Sequence, residues 1–572
     1  MRTASITLDG DSLTIEQLAA IARDPSIRVE RDPSTDERVA RSEELIHRIV
    51  SNYSAQWDQG GSPATEYGVT TGFGEFKDRP IAPEHLEELQ RNLLLSHSVG
   101  VGDNTDSDDL RNYFPAEVVR AALATRLNAF LKGHSGVRRT LVDIVQRMLN
   151  RGIIPLVPLR GSVGASGDLC PLSHLFALLV GSGRFYVAGD SRLQDAAALP
   201  ELLGVDAEEM RPRFKEGLAL VNGANFSAGM LAIAVHDAEQ LANVADDCAA
   251  LTLEALCGCT RALDPKVHEE RGHPGQMRSA ERMRRALEGS RLVERTGAVQ
   301  DAYSLRCAPQ VHGASRDTIL FVRSIAEREI NAATDNPLFF PDGDEPFDLQ
   351  FAANWPTWYH GEQRLAYSAG NFHGQPLALG ADFLAIAVAE LANISERRSQ
   401  MLLDGNHNRG LPKNLAARAG VNSGLMIAQY TAASLVSENK VLCHPASVDS
   451  IPTAANSEDH VSMSTHAARK LRSVIANAEA VLAIEAMVGA QAVEWRTASI
   501  EGIGGAETME QAERQAEEFT AKIAGQSARV AERLGKETAT LYRRVREHIE
   551  PVIADRPLSD DVRRLRQVLF GH

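Results

Sequence analysis

Four stretches of this 572-residue chain are long, rich in alanine and apolar on several faces: 224 to 256, 377 to 403, 422 to 441 and 464 to 493. At 1.5 Å rise per residue, a thirty-residue helix spans roughly 45 Å. A helix of that length with no continuous polar face suits the core of a bundle or a subunit interface. The fold class expected is mainly α: a long central helix bundle over 221–500, a smaller mixed N-terminal domain over 1–220 and a C-terminal helical buttress over 501–572. No apolar run is read as reaching membrane-spanning length, and the segment after Met1-Arg2-Thr3-Ala4-Ser5 is polar rather than an apolar leader core. The expectation is a soluble, cytoplasmic protein with no membrane partner.

The formal net charge of −16 argues against a nucleic-acid backbone as partner. Cys170, Cys248, Cys257, Cys259, Cys307 and Cys443 lack metal-knuckle spacing and read as reduced thiols. His268-Glu269-Glu270-Arg271-Gly272-His273 imitates a zinc-binding helix. Its second histidine comes one position late, and Gly272-His273-Pro274-Gly275 cannot continue the helix, so no metal site is expected.

Short amphipathic helices are expected at 14–18 and 38–50, a leucine-faced helix from about Pro83 to His97, helical structure over 117–150, and a small surface hairpin within 181–213. Residues 506–549 read as a charged amphipathic helix or helix pair. Among these elements lie segments suited to chemistry. Tyr67-Gly68-Val69-Thr70-Thr71-Gly72-Phe73-Gly74 reads as an ordered loop that carries a phenol. Asn222 follows a short apolar run and, by itself, reads as a helix cap. Arg306, in Tyr303-Ser304-Leu305-Arg306-Cys307-Ala308-Pro309-Gln310, has the planar fork that holds a carboxylate in two parallel bonds.

The densest segment is Gly161-Ser162-Val163-Gly164-Ala165-Ser166-Gly167-Asp168-Leu169, followed by Pro171-Leu172-Ser173-His174. Three glycines let the backbone fold back sharply. Ala165-Ser166-Gly167 is small enough for the Gly167 nitrogen to approach the Ala165 carbonyl carbon, with Asp168 nearby to move protons. Taken alone, the segment is a glycine-rich turn before a helix. It lacks the Lys-Ser/Thr end of a phosphate loop, and Ser166 lacks the flanking glycines of a nucleophile elbow.

The segment resembles the signature of the aromatic amino-acid ammonia-lyase and aminomutase family, and similar motifs follow in the expected order over about residues 60 to 495. The resemblance implies that Ala165, Ser166 and Gly167 cyclise autocatalytically, losing two waters, to a methylidene-imidazolone (MIO), with no external cofactor. No standard side chain is a good electrophile, so an elimination of ammonia needs such a built-in electron sink. By resemblance, Tyr67 is the base for the β-hydrogen, Arg306 clamps the α-carboxylate, and Asn222, Tyr303 and Gln310 contact the MIO side. Phe372, in Gly370-Asn371-Phe372-His373-Gly374, packs on the substrate ring. Asp335 and Asn336 are structural supports.

His97 falls where the family selects its substrate ring, and Glu458 stands where phenylalanine and tyrosine enzymes carry glutamine. A carboxylate facing an imidazole can accept its N–H, whereas a phenyl ring offers nothing comparable. The activity implied is conversion of L-histidine to trans-urocanate and ammonia in a homotetramer with shared active sites. Segments 341–368, with Trp355, Trp358 and Tyr359, and 404–412 depart from the family pattern. They leave open a tyrosine or phenylalanine lyase or aminomutase and a lyase for a modified histidine. A non-catalytic helical scaffold is the alternative of another class.

Overall fold

The computed structural model describes residues 4–60, 63–342, 365–500 and 527–571. The chain is mainly helical and divides into two units. The first comprises 1–236, 323–382 and 445–469, and the second 237–322, 383–444 and 470–572. The helices Asn225–Ala255, Ala308–Glu329, Gln375–Leu403 and Ser464–Ile500 each contribute residues to both.

In the first unit the Thr14 hydroxyl accepts the Gln17 N–H and the Gln17 side chain accepts the Thr14 N–H, a reciprocal cap that starts the helix Ile15–Arg23. A short parallel pair, Ser5–Leu8 with Arg28–Arg31, flanks it. The helix Ser34–Asp58 turns Leu45, Ile46, Ile49 and Val50 into a cluster with Val69, Leu86, Phe339 and Ala366. This cluster seats the loop that begins at Tyr67.

The segment 117–150 forms two helices, Ala116–Leu131 and Arg139–Asn150. Gly133 and Gly136 make the break at φ +75° and +67°, and a Cβ at either would lie under 3.0 Å from Arg38 or Ile46. The expected hairpin is Arg184–Val187 with Asp190–Asp195, joined by a third antiparallel strand, Ile153–Pro155.

The second unit's own helices include Pro274–Ala286, Met426–Leu442, Lys536–Arg546 and Ser559–Phe570. Its mostly apolar core encloses a buried polar group. Arg398 pairs with Glu485 through two bonds of 2.5 and 2.8 Å, and His312 Nδ1 lies 2.7 Å from Asp246.

One expectation is corrected. Gln375–Leu403 and Ser464–Ser499 are long and apolar enough to cross a membrane. Most of each apolar window is buried inside the protein, as in the core helices of a bundle. Trp355, Trp358 and Tyr359, and positions 506–526, lie outside the described residues.

Candidate functional site

The first unit contains a cavity of about 620 Å³ whose lining includes Tyr67, His97, Ser166, Asn222 and Glu458. Phe73 and Leu218 supply apolar wall. Another cavity in this unit, about 490 Å³ and lined by Arg28, Arg147 and Arg151, holds none of the residues singled out above.

Tyr67 stands on a loop whose backbone is tied down at both ends. Thr70 N–H donates to Glu66 O at 2.9 Å and Ile81 N–H to Thr70 O at 3.0 Å. Gln90 couples this loop to Asn222: its amide donates to Gly68 O at 3.1 Å and accepts the Leu218 N–H at 3.0 Å. Leu218 belongs to the short helix Glu216–Val221, which ends at Asn222. Burial pushes the Tyr67 phenol upward, the Glu458 charge adds to this, and a backbone hydrogen bond at Gly74 opposes it.

The tripeptide sits at a crossing of two tight turns. Gly167 N–H donates to Gly164 O at 3.3 Å, while Gly223 N–H reaches Ser166 O at 3.0 Å and Asp168 N–H reaches Gly223 O at 2.9 Å. Ser166 is in the left-handed region at φ +46°, where a non-glycine residue is uncommon. At Gly167, φ +85°, a Cβ would lie 2.3 Å from the Gly223 carbonyl. Asp168 anchors the assembly rather than lining the cavity. Fully buried, it accepts from Ser227 N–H at 2.8 Å, Ser227 Oγ at 2.5 Å and Thr465 Oγ1 at 2.6 Å. Burial raises its pKa against those bonds.

Glu458 reaches the tripeptide directly: Ser166 Oγ donates to Oε1 at 3.0 Å and Thr453 Oγ1 to Oε2 at 2.8 Å. The turn that carries it holds Ala454, Ala455 and Asn456 at φ +46°, +51° and +66°. Three consecutive left-handed residues without glycine are strained, a feature that concentrates at functional sites. His97 ends the helix Leu86–His97. Burial keeps its pKa low, opposed by a bond to the Leu93 backbone and by Glu458.

Asn222 is held through its main chain. Arg126, fully buried, donates to Asn222 O at 2.7 Å and to Asn225 Oδ1 at 2.6 Å, and burial lowers its pKa to about 10. Asn222 Oδ1 is buried and has no partner among the described residues. Such an orphaned acceptor next to the tripeptide fits a group that donates a hydrogen bond there. Gln90 and Arg126 escaped the sequence reading because each looks like an ordinary polar interruption of a buried helix. Lys215 was equally silent: its ammonium is buried against the Asp335 carboxylate and donates to Pro337 O at 3.0 Å. Asn336 Oδ1 accepts the Ala369 N–H at 2.7 Å.

The remaining residues singled out lie elsewhere. Phe372 belongs to the first unit, at a turn closed by His373 N–H to Gly370 O at 2.9 Å, but does not line the cavity. Tyr303, Arg306 and Gln310 belong to the second unit. There the Arg306 guanidinium lies 4.8 Å from the Tyr303 ring centre, its Nε donates to Asp301 O at 3.2 Å, and Gln310 Oε1 is buried without a partner among the described residues. In the second unit His268 is buried, with its ring nitrogens on Ala262 O and the Gln276 amide.

A sequence model described as aromatic amino acid lyase matches residues 13–520. A histidine ammonia-lyase from Caldanaerobacter subterraneus is 43% identical over 559 residues, 97% of this chain and 95% of that one. The crystal structure of histidine ammonia-lyase from Trypanosoma cruzi superposes with a TM-score of 0.79 at 36% identity, covering 99% of this chain and 93% of that one. Tyrosine aminomutase from Streptomyces globisporus gives 0.80 at 31% identity, covering 99% and 97%. With a family model spanning most of its length and relatives matched nearly end to end, this chain belongs to the aromatic amino acid lyase family.

Proposed function

We propose that this enzyme eliminates ammonia from L-histidine to give trans-urocanate, using an MIO group made from Ala165, Ser166 and Gly167. The observation that carries the reading is the meeting of His97, Glu458 and Ser166 in one cavity, with Ser166 Oγ 3.0 Å from Glu458 Oε1. The similarity to histidine ammonia-lyases supports the substrate.

The residues present fit the group. At Gly167 a Cβ would meet the Gly223 carbonyl at 2.3 Å, so the backbone is tight enough for ring closure, and Asn222 Oδ1, without a partner among the described residues, is an acceptor for the substrate's ammonium. When formed, MIO supplies an electron-poor alkene that makes the amino group a competent leaving group. Tyr67 takes the β-proton at its phenolate oxygen. Arg306 binds the α-carboxylate as a two-pronged donor. Tyr303, Gln310 and Asn222 orient the amino end, Phe372 packs on the substrate ring, and His97 and Glu458 hold the imidazole by its nitrogens. A phenyl ring would leave both acceptors desolvated and unpaired, which disfavours it.

The working assembly is a homotetramer in which the sites are shared. Phe321, Phe383, Ile386, Ile427 and Tyr430 of the second unit are each roughly half exposed or more, and large apolar side chains clustered on helices call for a covering copy.

The test is to supply purified enzyme with L-histidine, L-tyrosine and L-phenylalanine and to follow near-ultraviolet absorbance and ammonia. Urocanate with stoichiometric ammonia from L-histidine alone is expected. Coumarate or cinnamate as the main product would contradict the reading.

A further inference from the structure

His97 is offered as a ring holder above, but an imidazole can donate or accept depending on which nitrogen carries its proton. Ser96 Oγ lies 3.0 Å from His97 Nδ1 and also donates to Leu93 O at 3.2 Å. A serine hydroxyl has one proton. With that proton on Leu93 O, the only group Ser96 can present to Nδ1 is an oxygen lone pair. Nδ1 therefore faces an acceptor and calls for a hydrogen of its own.

We propose that Ser96 is a positioning residue that fixes His97 as its Nδ1–H tautomer, leaving Nε2 as a bare acceptor toward the cavity. Burial holds the ring neutral, so Nε2 stays unprotonated at neutral pH. The opposite polar group of the ring wall, Glu458, is likewise an acceptor when ionised. Its Oε1 is occupied by the Ser166 hydroxyl, the group lost when the tripeptide dehydrates, so it becomes free to accept from substrate. The wall then offers two acceptors, and the side chain that satisfies both is one that donates twice, a five-membered ring with a hydrogen on each nitrogen. A phenol satisfies one acceptor and a phenyl ring none. The preference for a doubly donating ring rests on the function proposed above, while the tautomer of His97 does not.

The experiment is nitrogen NMR of the full-length protein labelled with ¹⁵N-histidine. The chain has 17 histidines, so His97 is assigned by difference from His97→Gln. The expected result is a protonated Nδ1 and an unprotonated Nε2 in the resting enzyme. A His97 protonated mainly at Nε2 would overturn the proposal. Ser96→Ala is expected to mix the two tautomers and raise KM for L-histidine by about fivefold with kcat within twofold, the size of one neutral hydrogen bond. Ser96→Thr, which keeps the hydroxyl, is expected to restore both. An unchanged tautomer and KM in Ser96→Ala would equally overturn it. Failure of the wild-type enzyme to turn over L-histidine would remove the proposed substrate yet leave the tautomer measurement standing.

Discussion

Ser166 Oγ and Glu458 Oε1, 292 positions apart in sequence, are joined by a 3.0 Å hydrogen bond. The serine belongs to the tripeptide that the family signature marks, and the glutamate to a strained turn that Thr453 steadies. The side chain expected to be consumed in building the prosthetic group is thus held by the side chain expected to recognise the substrate.

Ser166→Ala removes the hydroxyl and is expected to abolish turnover. Glu458 keeps its bond to Thr453, and the loss of one hydrogen bond to a carboxylate costs about 1.5 to 3 kcal/mol. Circular dichroism and thermal melting should therefore show a native fold. Substantial residual turnover would contradict the account.

Glu458→Gln keeps the size of the side chain but exchanges a charged acceptor for a neutral one. The difference between charge-assisted and neutral hydrogen bonds, about 1 to 1.5 kcal/mol, corresponds to roughly a tenfold fall in kcat/KM for L-histidine. The same variant removes a charge that raises the Tyr67 phenol. Tyr67 then ionises at lower pH, so the limb of kcat/KM that rises with base ionisation is expected to move to lower pH. A shift to higher pH would contradict the assignment of Tyr67 as the base.

Gly167→Ala is expected to destabilise the protein by about 1 to 3 kcal/mol, read as a lower urea midpoint. The added Cβ would meet the Gly223 carbonyl at 2.3 Å in a left-handed conformation. Gly189, at φ +89° with open space around it, serves as the control: alanine there carries only the conformational part.

Glu66, next to Tyr67, is buried and its pKa is raised from 4.5 to about 7, chiefly by burial. The folded chain keeps this proton up to about pH 7, whereas the unfolded chain releases it near 4.5. Stability from the group is fully present below pH 4.5 and is lost as pH rises to 7. Glu66→Gln is therefore expected to be more stable than wild type above pH 7, by on the order of 3 kcal/mol, with the gap closing below pH 4.5. Urea unfolding at several pH values measures it.

The long helices were legible because apolar runs such as 224–256 and 464–493 admit little else. The limits of 117–150 were not: Gly133 and Gly136 break that helix in left-handed conformations, at places where Arg38 and Ile46, distant in sequence, leave no room for a Cβ. The strand pair Ser5–Leu8 and Arg28–Arg31 was hidden by its brevity and by the charges of its second strand. Tyr67, His97, Ser166, Asn222 and Glu458 were singled out by motif and line one cavity, but their supports were invisible. Arg126 inside an apolar helix and Gln90 between the Tyr67 loop and the helix Glu216–Val221 act through contacts at separations of 96 and 128 residues, which no local pattern encodes. Tyr303, Arg306 and Gln310 carry the same motif strength and belong to the other unit.

The central claim is the covalent conversion of Ala165-Ser166-Gly167, and mass spectrometry of the tryptic peptide from Gly161 to Arg184 tests it most directly. The account predicts a peptide lighter than its sequence by the mass of two waters, and the full sequence mass in Ser166→Ala. A wild-type peptide at its full sequence mass, in freshly purified protein, would contradict it.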